Sequence, residues 1–210
     1  MFRTAKGVIQ ECIDRYSDFG SYRDRGVVST WYSDNPEVVP HQIDFSTLYC
    51  KPNLFRFEYI NPHPYPLLRH ILTRYVCGFD GEHAYTVRQK HEENAVLLNE
   101  ESLGKAIARS TGTSCRSIHN IAKLLLPCVG TGWVDRLSSI RLSNQIEVEG
   151  ESCYEIEGVH QTYGPTRICV SKSDFTVRKY LSIINGFRSE EIRTHIVLNK
   201  DVEINLFELD

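Results

Sequence analysis

At 210 residues, with 24 Lys and Arg against 27 Asp and Glu, the chain is long enough for one large domain and has no basic excess with which to hold a polyanion, which excludes nucleic acid as a partner. Apolar residues make up 41%, yet no window approaches the roughly 18 consecutive apolar residues of a membrane span, so a soluble globular chain without a transmembrane segment is expected. Seven scattered cysteines, odd in number and without a CxxC pair, speak against a secreted disulfide framework and a zinc ribbon. With no continuous apolar region in the opening MFRTAKGVIQECIDRY, the expected setting is cytoplasmic for the sequence as given, and periplasmic if a signal segment has been removed.

In chain order, Ala5, Val8, Ile9, Cys12, Ile13 and Tyr16 recur at helical spacing behind a Thr4 cap and before Gly20, predicting an amphipathic helix over about residues 4–17. From Ser21 the texture turns to strand: SYRDRGVVSTWY, QIDFSTLYC, NLFRFEYI and LLRHILTRYV, separated by SDNPEVVP, KPN and NPHPYP, read as an antiparallel meander. Phe79-Asp80-Gly81-Glu82 adds a hairpin turn. Ser102 caps a predicted helix over about 102–110 that stops at Gly112. Ser114 caps a second, over about 115–126, with Ile118, Ile121, Leu124 and Leu125 on one side before Pro127. Strand texture resumes in NQIEVEG, SCYEIEGVH, TRICVS, TVRKYLSIING and EEIRTHIVLNK, giving roughly ten strands and three helices. Helices that do not alternate with strands exclude a parallel α/β fold. A long meander curls, and its concave face is covered either by closure into a barrel or by the three helices.

The stretch FSTLYCKPNLFRFEY, residues 45–59, concentrates aromatic residues: Phe55, Phe57 and Tyr59 alternate with Arg56 and Glu58 and share one strand face. A two-residue Pro52-Asn53 turn sets Leu48 and Cys50 beside these rings, whereas a three-residue Lys51-Pro52-Asn53 loop sets Phe45, Thr47 and Tyr49 there. LYCKPNLFRFEY resembles the motif of the LolA/LolB superfamily of lipoprotein-sorting proteins, in which a basic residue and Pro-Asn-Leu-Phe join two strands. YVCGFDGEHAYTV is similar to that family's next hairpin. The resemblance is specific over residues 45–86 and extends to the order of elements elsewhere.

It implies a mainly β (α+β) fold: a strongly curved antiparallel sheet forming an open half-barrel, covered by one N-terminal and two mid-chain helices, as a single domain over 1–210. It also implies a hydrophobic cavity for acyl chains and no catalysis. Phe55 and Phe57 match cavity-facing positions and Lys51 the basic residue near the lid, where the family more often has Arg. The expected ligand-lining set is Leu48, Phe55, Phe57, Tyr59, Ile118, Ile121 and Leu125, with Lys51 at the rim.

Other chemistry has weaker support. Cys115 and His119 sit i, i+4 on a predicted helix, a spacing suited to a metal or to a nucleophile with its base, but no third group is spaced nearby. His63, His70, His83 and His91 show neither HxH nor HExxH spacing, and STGTS (110–114) and GTGW (130–133) lack a phosphate-binding pattern. Glu190 and Glu191 are adjacent on a strand and point to opposite faces. The expectation is a monomer that binds a hydrophobic small molecule, a lipid or a lipidated protein without cofactor, metal or catalysis. The alternative is a protein-interaction module with a filled core, and a third reading is an enzyme using Cys115 with His119.

Overall fold

The computed structural model describes residues 3–32, 38–91, 93–126, 129, 136–184 and 186–208. The GTGW stretch, Pro127 and Cys128 lie outside these residues. Helix α1 (Ala5–Asp18) begins as its cap dictates, with the Gly7 amide donating to Thr4 Oγ1 at 3.1 Å, and buries Val8, Ile9, Cys12 and Tyr16. Strands β1 (Ser21–Trp31), β2 (His41–Cys50), β3 (Leu54–Pro62), β4 (Leu72–Phe79), β5 (Ala84–Lys90) and β6 (Val96–Glu100) follow. Helices α2 (Leu103–Thr111) and α3 (Ser117–Leu125) come next, and β7 (Leu137–Val148), β8 (Glu151–His160), β9 (Gly164–Ser171), β10 (Val177–Ile184) and β11 (Phe187–Leu198) complete the described elements.

Among the described residues eleven strands join one sheet in the order β6-β5-β4-β3-β2-β1-β11-β10-β9-β8-β7, antiparallel throughout, with β6 and β7 as its unpaired edges. The architecture is therefore an open half-barrel covered by three helices. One contiguous core joins Tyr16 of α1, Ile107 of α2 and Ile118, Ile121 and Leu125 of α3 to Phe45, Tyr49, Phe55 and Phe57 of the sheet, so the helices share the concave face. Among the described residues no helix is long and apolar enough to cross a membrane.

The sequence-based elements differ from the observed ones in three places. β6 is an eleventh strand: its VLLN run does not alternate, and only pairing to β5 makes it a strand. The Leu67–Ile71 part of the fourth predicted strand is not extended, because Pro66 starts a 3-10 turn over Pro66–Leu68 and β4 begins at Leu72. α3 starts at Ser117, since Cys115 and Arg116 are left-handed with φ of 47° and 74°. Ser114 is no cap; its hydroxyl donates to the Thr111 carbonyl at 3.3 Å.

The register of the aromatic hairpin follows the three-residue loop. Cys50 faces Leu54, Tyr49 faces Phe55, Thr47 faces Phe57 and Phe45 faces Tyr59, with the Lys51–Pro52 peptide cis. A Cβ at Gly26 would come within 2.3 Å of the Phe45 ring and 2.4 Å of the Ile192 carbonyl, so glycine is what lets Phe45 lie across β1. After β11 the chain doubles back across the convex face through a 3-10 turn at Ile204–Phe207. There Phe207 is fully buried, and its carbonyl accepts from Tyr85 Oη at 2.7 Å.

Candidate functional site

The concave face carries an aromatic row. Phe45 stacks on Phe57 at 5.3 Å between centroids, Phe57 meets Tyr59 at 5.8 Å, and Tyr59 stacks on Tyr75 at 4.8 Å and 7°. Strand alternation creates it: Tyr59 faces Tyr75 across β3 and β4, and their neighbours on the same face continue into Thr86, Arg88, Val96 and Leu98 of β5 and β6. The row is buried from Phe45 through Phe57 to Tyr59 and becomes partly exposed at Tyr75.

At that open end a groove of about 360 Å³ lies between the β4–β6 edge and α2, its floor Tyr59 and Tyr75, one wall Val96 and Leu98, the other Arg109, Ser110 and Thr113. Its lining is predominantly apolar. Val96 and Leu98 are 56% and 44% exposed, which marks the mouth. Hydrogen bonds fix the helix side of the groove: Tyr59 Oη and Thr113 Oγ1 lie 2.5 Å apart, and Asn61 Nδ2 donates to the Thr113 carbonyl at 2.9 Å. Across the mouth, Arg109 Nε donates to Glu100 Oε1 at 2.5 Å, and Thr86 Oγ1 donates to the same oxygen at 3.0 Å. Burial pushes the Tyr59 phenol well up, so it stays neutral.

The structure separates the sequence-predicted site residues. Tyr59, Phe55, Phe57, Ile118, Ile121 and Leu125 are all at most 2% exposed and interlock in the core, and of these Tyr59 alone also borders the groove. Leu48 lies on the convex face opposite Arg56, because the three-residue loop shifts β2 by one residue relative to the two-residue alternative. Lys51 reaches α1, its Nζ donating to the Ser17 carbonyl at 2.7 Å. Tyr75, Val96 and Leu98 are absent from the expected set; the Tyr75, Cys77, Phe79 alternation is a usable signal for the first, but β6 carries none for the others.

Cys115 and His119 do not share a helix face, since Cys115 precedes α3 in a left-handed conformation. Burial raises the Cys115 thiol, the wrong direction for a nucleophile. Burial, with Lys123, Arg136 and His160 nearby, lowers the His119 imidazole to about 4. Among the described residues no group of three or more His, Cys, Asp or Glu is placed to hold a metal.

A buried ionic network likewise has no signal in the sequence. Arg193, 2% exposed, donates through Nη1 to Asp24 Oδ2 at 2.6 Å, through Nε to Glu191 Oε1 at 2.6 Å and through Nη2 to the Ser117 carbonyl at 3.0 Å. Asn120 Nδ2 donates to Glu191 Oε2 at 2.8 Å and Tyr22 Oη to Asp24 Oδ2 at 2.6 Å, so the network pins α3 to β1 and β11. Glu190, on the convex side, pairs instead with Lys179 and Arg188.

Neither a protein-family model nor a curated protein sequence matches the chain. Solved structures do. LprF from Mycobacterium bovis aligns over 95% of both chains with a TM-score of 0.56 and 10% identity. The Mycobacterium tuberculosis lipoprotein LppX aligns over 95% of this chain and 97% of its own, with a TM-score of 0.53 and 11% identity. A LolA superfamily protein from Nitrosomonas europaea aligns over 99% of each chain with a TM-score of 0.38 and 9% identity. The half-barrel fold is thus shared with LprF and LppX.

Proposed function

We propose that the half-barrel is a non-catalytic binding protein that takes an elongated apolar ligand, a lipid acyl chain or the lipid part of a lipidated protein, into the groove at the open edge of its concave face. The observation that carries this reading is the aromatic row, which runs from the core to a groove of about 360 Å³ walled by Val96 and Leu98. That volume lies toward the lower end of the roughly 300–1,000 Å³ of ligand pockets. Each methylene buried there contributes about 0.8 kcal/mol, so a chain is held without a charged anchor. Deeper entry, toward Phe57, Ile118, Ile121 and Leu125, requires the α2–α3 turn to leave Tyr59 and Asn61.

A second reading, a protein-interaction module with a filled core, is favoured by β6 itself: a free sheet edge on which Val96, Leu97 and Leu98 are 56%, 49% and 44% exposed. One titration separates the two. A fluorescent fatty acid should be bound by the purified chain, displaced by palmitate and lost in Leu98→Glu with the melting temperature retained. Absence of fatty-acid binding, together with no lipid carried through purification, would favour the interaction module.

A further inference from the structure

A larger cavity lies on the opposite side of the sheet. It measures about 740 Å³ and lies, partly open to solvent, between the convex face of β1, β2, β3 and β11 and the segment that doubles back after β11. Two rows of side chains cross its floor. In one, Leu48, Arg23 and Val197 stand side by side on β2, β1 and β11, and Leu206 of the returning segment also lines the space. In the next, Arg25 stands beside Ser46.

The floor thus offers an aliphatic strip with two guanidiniums on one strand face, their Cα atoms about 6–7 Å apart at the spacing of alternate strand residues. Aliphatic contact suits the stems of the arginines, while their heads, on side chains that are exposed, are open to water and can exchange it for an anion. Among the described residues neither Arg23 nor Arg25 makes a side-chain ion pair or hydrogen bond.

The charges around them are otherwise committed. Glu58 is held by Arg74 at 2.6 and 3.1 Å and by Arg56 at 3.4 Å. Arg56 in turn donates to the Leu206 and Glu208 carbonyls at 3.3 and 2.8 Å, which fastens the returning segment over the cavity. Asp24 turns its carboxylate inward to Arg193. Among the described residues what remains at the cavity is Arg23 and Arg25 against the carboxylate of Glu208.

We propose that this convex-face cavity is a second binding site, specific for an anionic amphiphile: a phosphate or carboxylate head seated on Arg23 and Arg25, with its alkyl tail along Leu48, Val197 and Leu206. Charge complementarity selects the head and the aliphatic strip selects the tail, so neither a bare anion nor a neutral alkyl chain meets both requirements. The site shares no lining residue with the groove at Tyr59 and Tyr75 and stands independently of it.

Calorimetric titration of the full chain tests this with dodecyl phosphate below its micelle concentration, and with inorganic phosphate and dodecanol in parallel. Dodecyl phosphate should bind most tightly. The double variant Arg23→Gln/Arg25→Gln should weaken it by about tenfold or more, the loss of charge-assisted hydrogen bonds, with an unchanged melting temperature. Arg23→Lys/Arg25→Lys should retain part of the affinity, and Leu206→Asp should lose it. Leu98→Glu, in the concave groove, should leave it intact. Inorganic phosphate binding as tightly would make this a free-anion site and overturn the amphiphile; dodecanol binding as tightly, or a double Gln variant without effect, would remove the arginines as anchor. Loss in Leu98→Glu alone would place the probe on the concave face and end the proposal.

Discussion

Lys51 Nζ donates to the carbonyl of Ser17 at 2.7 Å, and the Lys51 amide donates to the carbonyl of Gly20 at 2.9 Å, so one residue of the β2–β3 loop holds both the end of α1 and the link from it to β1. The ammonium sits at the negative end of the helix dipole and satisfies one of the carbonyls a helix leaves unpaired at its C-terminus. Because it is exposed, Lys51→Met should cost no more than about 1 kcal/mol in urea denaturation, and Lys51→Glu more, since it reverses the charge against that dipole.

Removing Arg193 should be far more damaging. Arg193→Met would leave Asp24 and Glu191 as buried carboxylates without their cation, at a cost of about 3–5 kcal/mol in equilibrium unfolding. Replacing all three by apolar residues of similar volume should recover most of that loss. If the triple variant is no better than the single one, the network contributes more than its own charges.

Leu48 and Phe57 lie on neighbouring strands yet on opposite faces, and their substitutions should differ accordingly. Phe57→Ala opens a cavity between Phe45, Tyr59 and the helices and should cost about 3–5 kcal/mol, measured as a shift of the urea midpoint. Leu48→Ala, half-buried on the convex face, should cost roughly 1 kcal/mol. Similar losses at the two positions would contradict the register of the Lys51-Pro52-Asn53 hairpin.

Gly78 controls the returning segment at a distance. A Cβ there would lie 2.5 Å from Tyr85 Oη and 2.7 Å from the Phe55 carbonyl, so Gly78→Ala displaces the tyrosine whose hydroxyl holds the Phe207 carbonyl. The expected result is a loss of about 1–3 kcal/mol and faster proteolysis after residue 200, while Tyr85→Phe reproduces the proteolysis with a smaller loss of stability.

Stability should also fall on mild acidification. Burial and the neighbouring Lys123, Arg136 and His160 lower the folded-state value of His119 from 6.5 to about 4, so the unfolded chain takes up a proton that the folded one resists. That contribution is complete above pH 6.5 and is lost as pH falls from 6.5 towards 4. His119→Gln should flatten the slope of stability against pH in that window; an unchanged slope would assign it to His41 and His160, which burial also lowers.

Local features of the fold are legible in the residues that form them. The caps at Thr4 and Ser102, the alternation of Phe55, Phe57 and Tyr59 and the Asp80-Gly81 turn are contacts or patterns within a few residues, and the folded chain keeps them. Of the expected ligand-lining set, Tyr59 alone reaches the groove, because strand alternation says which residues share a face but not whether that face ends in solvent, a cavity or another side chain.

By itself, then, the sequence determined the kinds of elements, their order and the aromatic face of β3, since each is written in periodicity and turn chemistry. Tertiary structure decided the rest. It chose the register across Lys51-Pro52-Asn53 and made a strand of Val96–Glu100 by pairing it to β5. It also brought Arg193 to Asp24 across 169 residues and folded the returning segment over Arg23 and Arg25. Those outcomes depend on which groups meet after the sheet has curled, and burial and pairing between such distant groups leave no local pattern to read.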